Sequence, residues 1–175
     1  MFLIRRLFLC LLALVLCVPG AQAVELPPLV RLQVVAESDA PAAQRLKLEL
    51  RDVCLNCARI CLADAPDADA AYMRLVEHTG DFEAALTARA AELGYDGAIR
   101  VETGVFEFPD RIYGDLFVPA GEYRALRVTI GEGAGHNWWC VLYPSLCILD
   151  EGDFAGGMYY SRIWNWIRRR IGGLL

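Results

Sequence analysis

The chain has no excess of basic residues: 17 lysines and arginines stand against 22 aspartates and glutamates. That balance argues against a nucleic-acid partner, whose phosphates demand clustered cations. The apolar run Leu7 to Val18 is too short to cross a bilayer comfortably. No Gly-Lys-Ser/Thr string follows Gly131, Gly133 and Gly135, and their spacing is not that of a dinucleotide fingerprint. A phosphate-cradling loop is therefore disfavoured. Cys54, Cys57 and Cys61 recur at i, i+3 and i+7, where three metal ligands could converge, but a fourth ligand at a characteristic spacing is missing. Those cysteines read as small hydrophobes on a buried helical stripe. Neither a metal nor another cofactor is expected.

Met1 to Ala23 has the pattern of a secretory signal peptide. Arg5 and Arg6 form its positive start, Leu7 to Val18 its apolar centre, and Ala21-Gln22-Ala23 its small-residue cleavage site. The signal holds two of the basic residues and no acidic one, so the exported part carries 15 against 22, a net charge of −7. Of the seven cysteines, Cys10 and Cys17 lie in the signal. The odd remainder requires at least one free thiol or an intermolecular bond. The expected organisation is a signal peptide over 1–23, a single domain over 24–150, and a glycine-containing linker with a basic amphipathic helix over 151–175.

Val30, Leu32 and Val34 alternate with Arg31 and Gln33, the pattern of a strand. Ser38-Asp39-Ala40-Pro41 then supplies a helix cap and an early proline. Leu46, Leu50, Val53, Cys57 and Ile60 fall on one stripe of a long helix reaching about Leu62. Ala63 to Pro66 ends it, Asp67 to Glu77 predicts a second helix, and Thr79-Gly80-Asp81 breaks the pattern before a third, Phe82 to Leu93, closed by Gly94. From Ala98 the period becomes two. Ile99 to Phe108, Ile112 to Phe117 and Tyr123 to Ile130 read as strands, separated by turns at Pro109-Asp110 and Pro119 to Glu122. The expected fold is α+β: an N-terminal strand and two to three helices packed on a small, mostly antiparallel sheet, with a Gly/Trp/Cys loop and a C-terminal amphipathic helix.

That loop, Gly131 to Cys147, concentrates three glycines, His136, Trp138, Trp139, Cys140 and Cys147 in seventeen residues. Paired tryptophans bring apolar area that must be buried or meet a partner. Three readings compete: a phosphate loop, a His136/Cys140 catalytic pair, and a recognition loop pinned by a Cys140–Cys147 bridge. Such a bridge would stabilise the fold by about 2.5 kcal/mol through loop entropy. Further on, Ile163, Trp166 or Ile167, and Ile171 share one side of a helix with arginines near its end. Residues 159–171 thus suit contact with a membrane surface or docking on the core.

Tyr113-Gly114-Asp115, Val118 to Tyr123, Ala125 to Val128, and Ile130-Gly131-Glu132-Gly133 through Gly135-His136-Asn137-Trp138-Trp139-Cys140-Val141-Leu142 closely resemble the signature of the stage II sporulation protein R family. The start of the domain fits too, through Val30-Arg31-Leu32, Ser38-Asp39, Gln44 and Leu46-Lys47-Leu48. Gln33 departs from an expected histidine, Glu37 from asparagine and Ser145 from proline. The resemblance implies a non-enzymatic signalling protein of endospore formers, exported from the forespore into the intermembrane space. There it would switch on a membrane-embedded aspartyl protease that matures the precursor of the mother-cell sigma factor. On that reading no residue is catalytic. Gly131, Glu132, Gly133, Gly135, His136, Asn137, Trp138 and Trp139 form the partner surface, and a Cys140–Cys147 disulfide steadies it. The alternative is a secreted Cys/His thiol hydrolase acting on cell wall.

Overall fold

In a computed structural model of the protein, the described residues are 28–113 and 116–144. The expected signal peptide, the linker, the C-terminal helix and Cys147 lie outside them. The elements run β1 (Val30–Val35), α1 (Pro41–Cys61), α2 (Ala68–Glu77), α3 (Thr79–Glu92), β2 (Ile99–Phe108), β3 (Arg111–Tyr113), β4 (Leu116–Val118), β5 (Gly121–Ile130) and β6 (Asn137–Tyr143). Four strands form one sheet in the order β2-β5-β1-β6, in which only the β1–β5 pair is parallel. The α+β expectation, with a mostly antiparallel sheet, is borne out.

Two local signals work as physical chemistry requires. Asp67 caps α2 by accepting the Ala70 N–H at 2.8 Å. Gly94, at φ 79°, lets Tyr95 N–H return to the Ala90 carbonyl and close α3. The break between α2 and α3 falls at His78 rather than at Thr79-Gly80-Asp81, because Thr79 Oγ1 donates to the Leu75 and Val76 carbonyls and starts the new helix itself.

Three expectations need correction. Ile60 is not on the buried stripe of α1. It is 72 % exposed, and the buried face is Ala43, Lys47, Leu50, Arg51, Cys54 and Ala58. Long basic side chains lay their stems on apolar surface and so hide in a stripe that a count of apolar residues misses. Secondly, the helix cap expected from Ser38-Asp39 makes no side-chain capping bond. The Asp39 carboxylate is engaged elsewhere. Thirdly, 112–117 is not one strand but two short ones, β3 and β4, paired antiparallel with Ile112 facing Phe117. The Gly-Asp dipeptide between them is a two-residue hairpin sequence.

The sheet has two unlike faces. On one, Leu32, Val34, Val101, Leu126, Val128, Trp138 and Leu142 meet Leu50, Cys54, Leu75, Phe82 and Leu86 from the helices. On the other, the β3–β4 hairpin covers Leu29 and Val141 with Tyr113 and Val118. Strand β1 is consequently buried along its whole length, polar residues included.

Candidate functional site

Strand β5 leads directly into the segment Gly131 to His136, and the glycines there have separable causes. Gly131 and Gly133 take φ of 55° and 65°, a region open to glycine without strain. At Gly135 a side chain would run into the Ser38 backbone, so this position needs the closest approach rather than an unusual dihedral. The loop is thereby laid onto the chain that leaves β1: Gly135 N–H donates to the Ala36 carbonyl at 2.9 Å, and Ala134 N–H to the Glu37 carbonyl at 3.1 Å. Glu37 also accepts from Tyr95 Oη at 3.1 Å, and burial followed by that carboxylate pushes the Tyr95 phenol up to about 12.

His136 is the best-held exposed side chain of the loop. One Asp39 carboxylate oxygen accepts its backbone N–H at 2.7 Å and lies 2.5 Å from its ring Nδ1. The backbone bond from His136, then the ring bond, hold the Asp39 carboxyl below its ordinary value. A carboxylate at Nδ1 places the proton there and leaves Nε2 as the outward group. Beneath, Lys47 donates to the His136 carbonyl at 3.1 Å and to Gln44 Oε1 at 2.6 Å, while Gln44 Nε2 bonds the Ser38 carbonyl at 2.9 Å. Asp39, Gln44 and Lys47 thus hold the candidate loop in place, and motif reading misses them. In the sequence they match a family pattern, but Asp39 reads there only as a helix cap, and nothing points Gln44 or Lys47 toward His136.

Asn137 to Tyr143 is a strand, not the second half of a loop, and this divides the two tryptophans. Neighbours on a strand point to opposite faces. Trp138 is a core residue among the helices, 9 % exposed, with the Arg51 guanidinium 5.1 Å from its ring centroid. It does not belong to an exposed contact surface. Trp139 lies on the other face, half-buried, 4.8 Å from Phe108 edge-on and with Arg111 5.9 Å above it. Glu132, His136 and Asn137 are exposed or nearly so in the loop, and Gly131, Gly133 and Gly135 are half-buried.

Cys140 shares Trp138's face. It is fully buried and disulfide-bonded, which leaves the thiol-nucleophile reading without an accessible thiolate. Cys54, Cys57 and Cys61 are free. Burial raises all three thiols, Cys54 furthest, as expected of packing residues, and among the described residues no cluster of three or more potential metal ligands occurs. Beneath the hairpin, Arg31 is fully buried and boxed by Phe108, Tyr123 and Tyr113 at 4.2, 4.9 and 5.9 Å. It donates to Tyr113 Oη at 2.8 Å, but its Nε and Nη1 find no acceptor among the described residues.

Residues 27–153 match the family model described as stage II sporulation protein R. The chain is 34 % identical over 121 residues to stage II sporulation protein R of Bacillus subtilis (strain 168), a match covering 69 % of this chain and 54 % of that protein. It therefore spans about half the length of the curated relative. No solved structure matches the chain. The matched region contains the clamped loop, both tryptophans and Asp39, and the chain belongs to the stage II sporulation protein R family.

Proposed function

We propose that the protein is a secreted sporulation signal, exported from the forespore into the intermembrane space, that activates a membrane-embedded aspartyl protease by binding it. The precursor of the mother-cell sigma factor is then processed. Family membership supports the sporulation role. The observation that carries a binding mechanism is the exposed, doubly bonded His136 on a loop stapled to its neighbour strand, beside half-buried Trp139. Such a surface loses little entropy on docking because it is already ordered. Histidine and tryptophan also bring the mixed polar and aromatic contacts that dominate interface energies.

In this reading Gly131, Gly133 and Gly135 shape the loop, Glu132, His136, Asn137 and Trp139 meet the partner, and Trp138 supports them from the core. A bridge from Cys140 to Cys147 would tie the far end of β6. Contact of residues 159–171 with the membrane would bring the signal to the bilayer that holds the protease.

The test is cleavage of the sigma precursor in membranes reconstituted with the protease. His136→Ala and Trp139→Ala should fold, as judged by circular dichroism, and trigger cleavage at least about tenfold more weakly than the unmodified protein. Full triggering by both variants would refute the site.

A further inference from the structure

The second sheet face also carries a cross-sheet row in register through all four strands, in which Glu102 is exposed, Arg127 and Trp139 are half-buried and Gln33 is buried. Glu102 pairs with Arg127, Arg127 with Gln33, and Gln33 with Trp139. The immediate neighbours of Arg127, Gln33 and Trp139 along their strands point into the helical core, so these side chains belong to the opposite face. At strand spacings of about 4.8 Å the row is roughly 14 Å wide. Arg127 is pre-set within it. Its guanidinium lies 3.8 Å over the Phe106 ring, and its Nε donates to Gln33 Oε1 at 2.8 Å.

Glu102 faces Arg127 directly, yet among the described residues no ion pair or hydrogen bond joins them. Besides the Nε bond to Gln33, Arg127 makes no hydrogen bond or ion pair among the described residues. Arg100 lies exposed one step along the same face, opposite Thr129, and Arg111 stands over Trp139 at the far end. The face meets the candidate loop, since Gly133 is seated against Thr129 and Val35. Three guanidiniums with one facing carboxylate make a basic strip on a chain in which acidic residues outnumber basic ones by 22 to 17.

We infer that this strip, Arg100, Arg127, Arg111 and Trp139, is a docking face for an acidic segment of a protein partner. The inference rests on the binding role proposed above and names the chemistry of its partner. Stacked guanidiniums with free N–H groups take carboxylates bidentately. Arginine and tryptophan are also the residue types that anchor interfaces. A bilayer is the poorer fit: surface attraction to anionic lipid uses about four to eight clustered cations, and here the aromatic rings lie against the sheet.

Two measurements on the full-length protein separate this inference from the function it rests on. In the first, a glutamate-rich dodecapeptide, its glutamine counterpart and phosphatidylglycerol vesicles are titrated while the Arg127 Nε–H and Trp139 indole resonances are followed by NMR. The acidic peptide alone should shift both, and Arg127→Glu should weaken its binding at least about tenfold, whereas Arg45→Glu, on an exposed face of α1, should leave it unchanged. Shifts confined to other residues, equal binding of the glutamine peptide, or a response to vesicles only would overturn the inference. It would fall equally if neutralising Asp150, Glu151 and Asp153 shifted these resonances without any peptide, because the face would then be occupied by its own chain. In the second, the same variants are titrated against the protease in neutral-lipid nanodiscs. If the unmodified protein fails to bind the protease while the peptide result holds, the proposed function falls and the docking face stands.

Discussion

Replacing the adjacent tryptophans one at a time by alanine puts the two faces of β6 to a quantitative test. Trp138 buries nearly all of its side chain. At about 25 cal/mol per Å² over roughly 200 Å², its removal costs about 5 kcal/mol, at the upper end of the roughly 3–5 kcal/mol expected for a buried large-to-small change. The Arg51 contact at 5.1 Å is lost with it. Trp139 is buried to a lesser degree and gives up one edge-on contact with Phe108 at 4.8 Å, so over roughly 140 Å² its share is about 3.5 kcal/mol. At roughly 2–4 °C per kcal/mol for a domain of this size, Trp138→Ala should lower Tm by about 10–20 °C and Trp139→Ala by about 7–14 °C. Urea unfolding, with an unchanged m-value as the check on two-state behaviour, and a thermal scan of each purified variant supply the comparison. Equal destabilisation by Trp139→Ala and Trp138→Ala would refute the assignment, because alternation along the strand would then not decide which ring is in the core.

Three further outcomes follow from individual contacts. The Asp39 carboxyl is held below its ordinary value by His136, so its contribution to the loop is present above that value and lost as the pH falls through the lowered one. Exchange protection of the His136 amide should therefore hold from neutrality down to roughly pH 4 and be lost as the pH falls on through the lowered value, with Asp39→Asn lowering protection at neutral pH. Arg31→Met should be neutral or stabilising in urea melts, since an aliphatic side chain of similar reach leaves no buried donors unbonded; Arg31→Ala should cost about 2–4 kcal/mol through the cavity it leaves. Alkylation of the native protein should label Cys57 and Cys61 slowly, and Cys54 only after unfolding, because burial raises all three thiols and closes Cys54 off altogether.

What can be read in the sequence is what depends on neighbours within a few residues. Asp67 caps a helix beginning at the next residue, Gly94 closes another, and the period of two from Ile99 marks the strands, because each signal and its cause lie within one turn or one pleat. Asp39 is the opposite case. It has the composition of a cap, yet its partner is His136, 97 residues away, and nothing local tells a carboxylate which of two donors it will choose. Lys47 and Arg51 show a related failure, since charge hides their membership of the buried face of α1.

The signature string itself divides along the same line. Glycine density suggests a loop as far as Cys147, and a loop imposes no alternation, so sequence alone puts His136, Asn137, Trp138 and Trp139 together on one exposed surface. Once the chain pairs with β1 from Asn137 onward, the pleat sends Trp138 and Cys140 to the helices and Trp139 to the face that carries Arg127. The core ring then fixes the height and tilt of β6, which in turn sets where Trp139 and His136 stand. A substitution at Trp138 should therefore impair partner binding in proportion to the stability it removes, whereas one at His136 or Trp139 should impair binding beyond any loss of stability. Plotting triggering against unfolding free energy for variants at all three positions would separate support from contact, and a single line through every variant would mean that the exposed half of the motif is architecture as well.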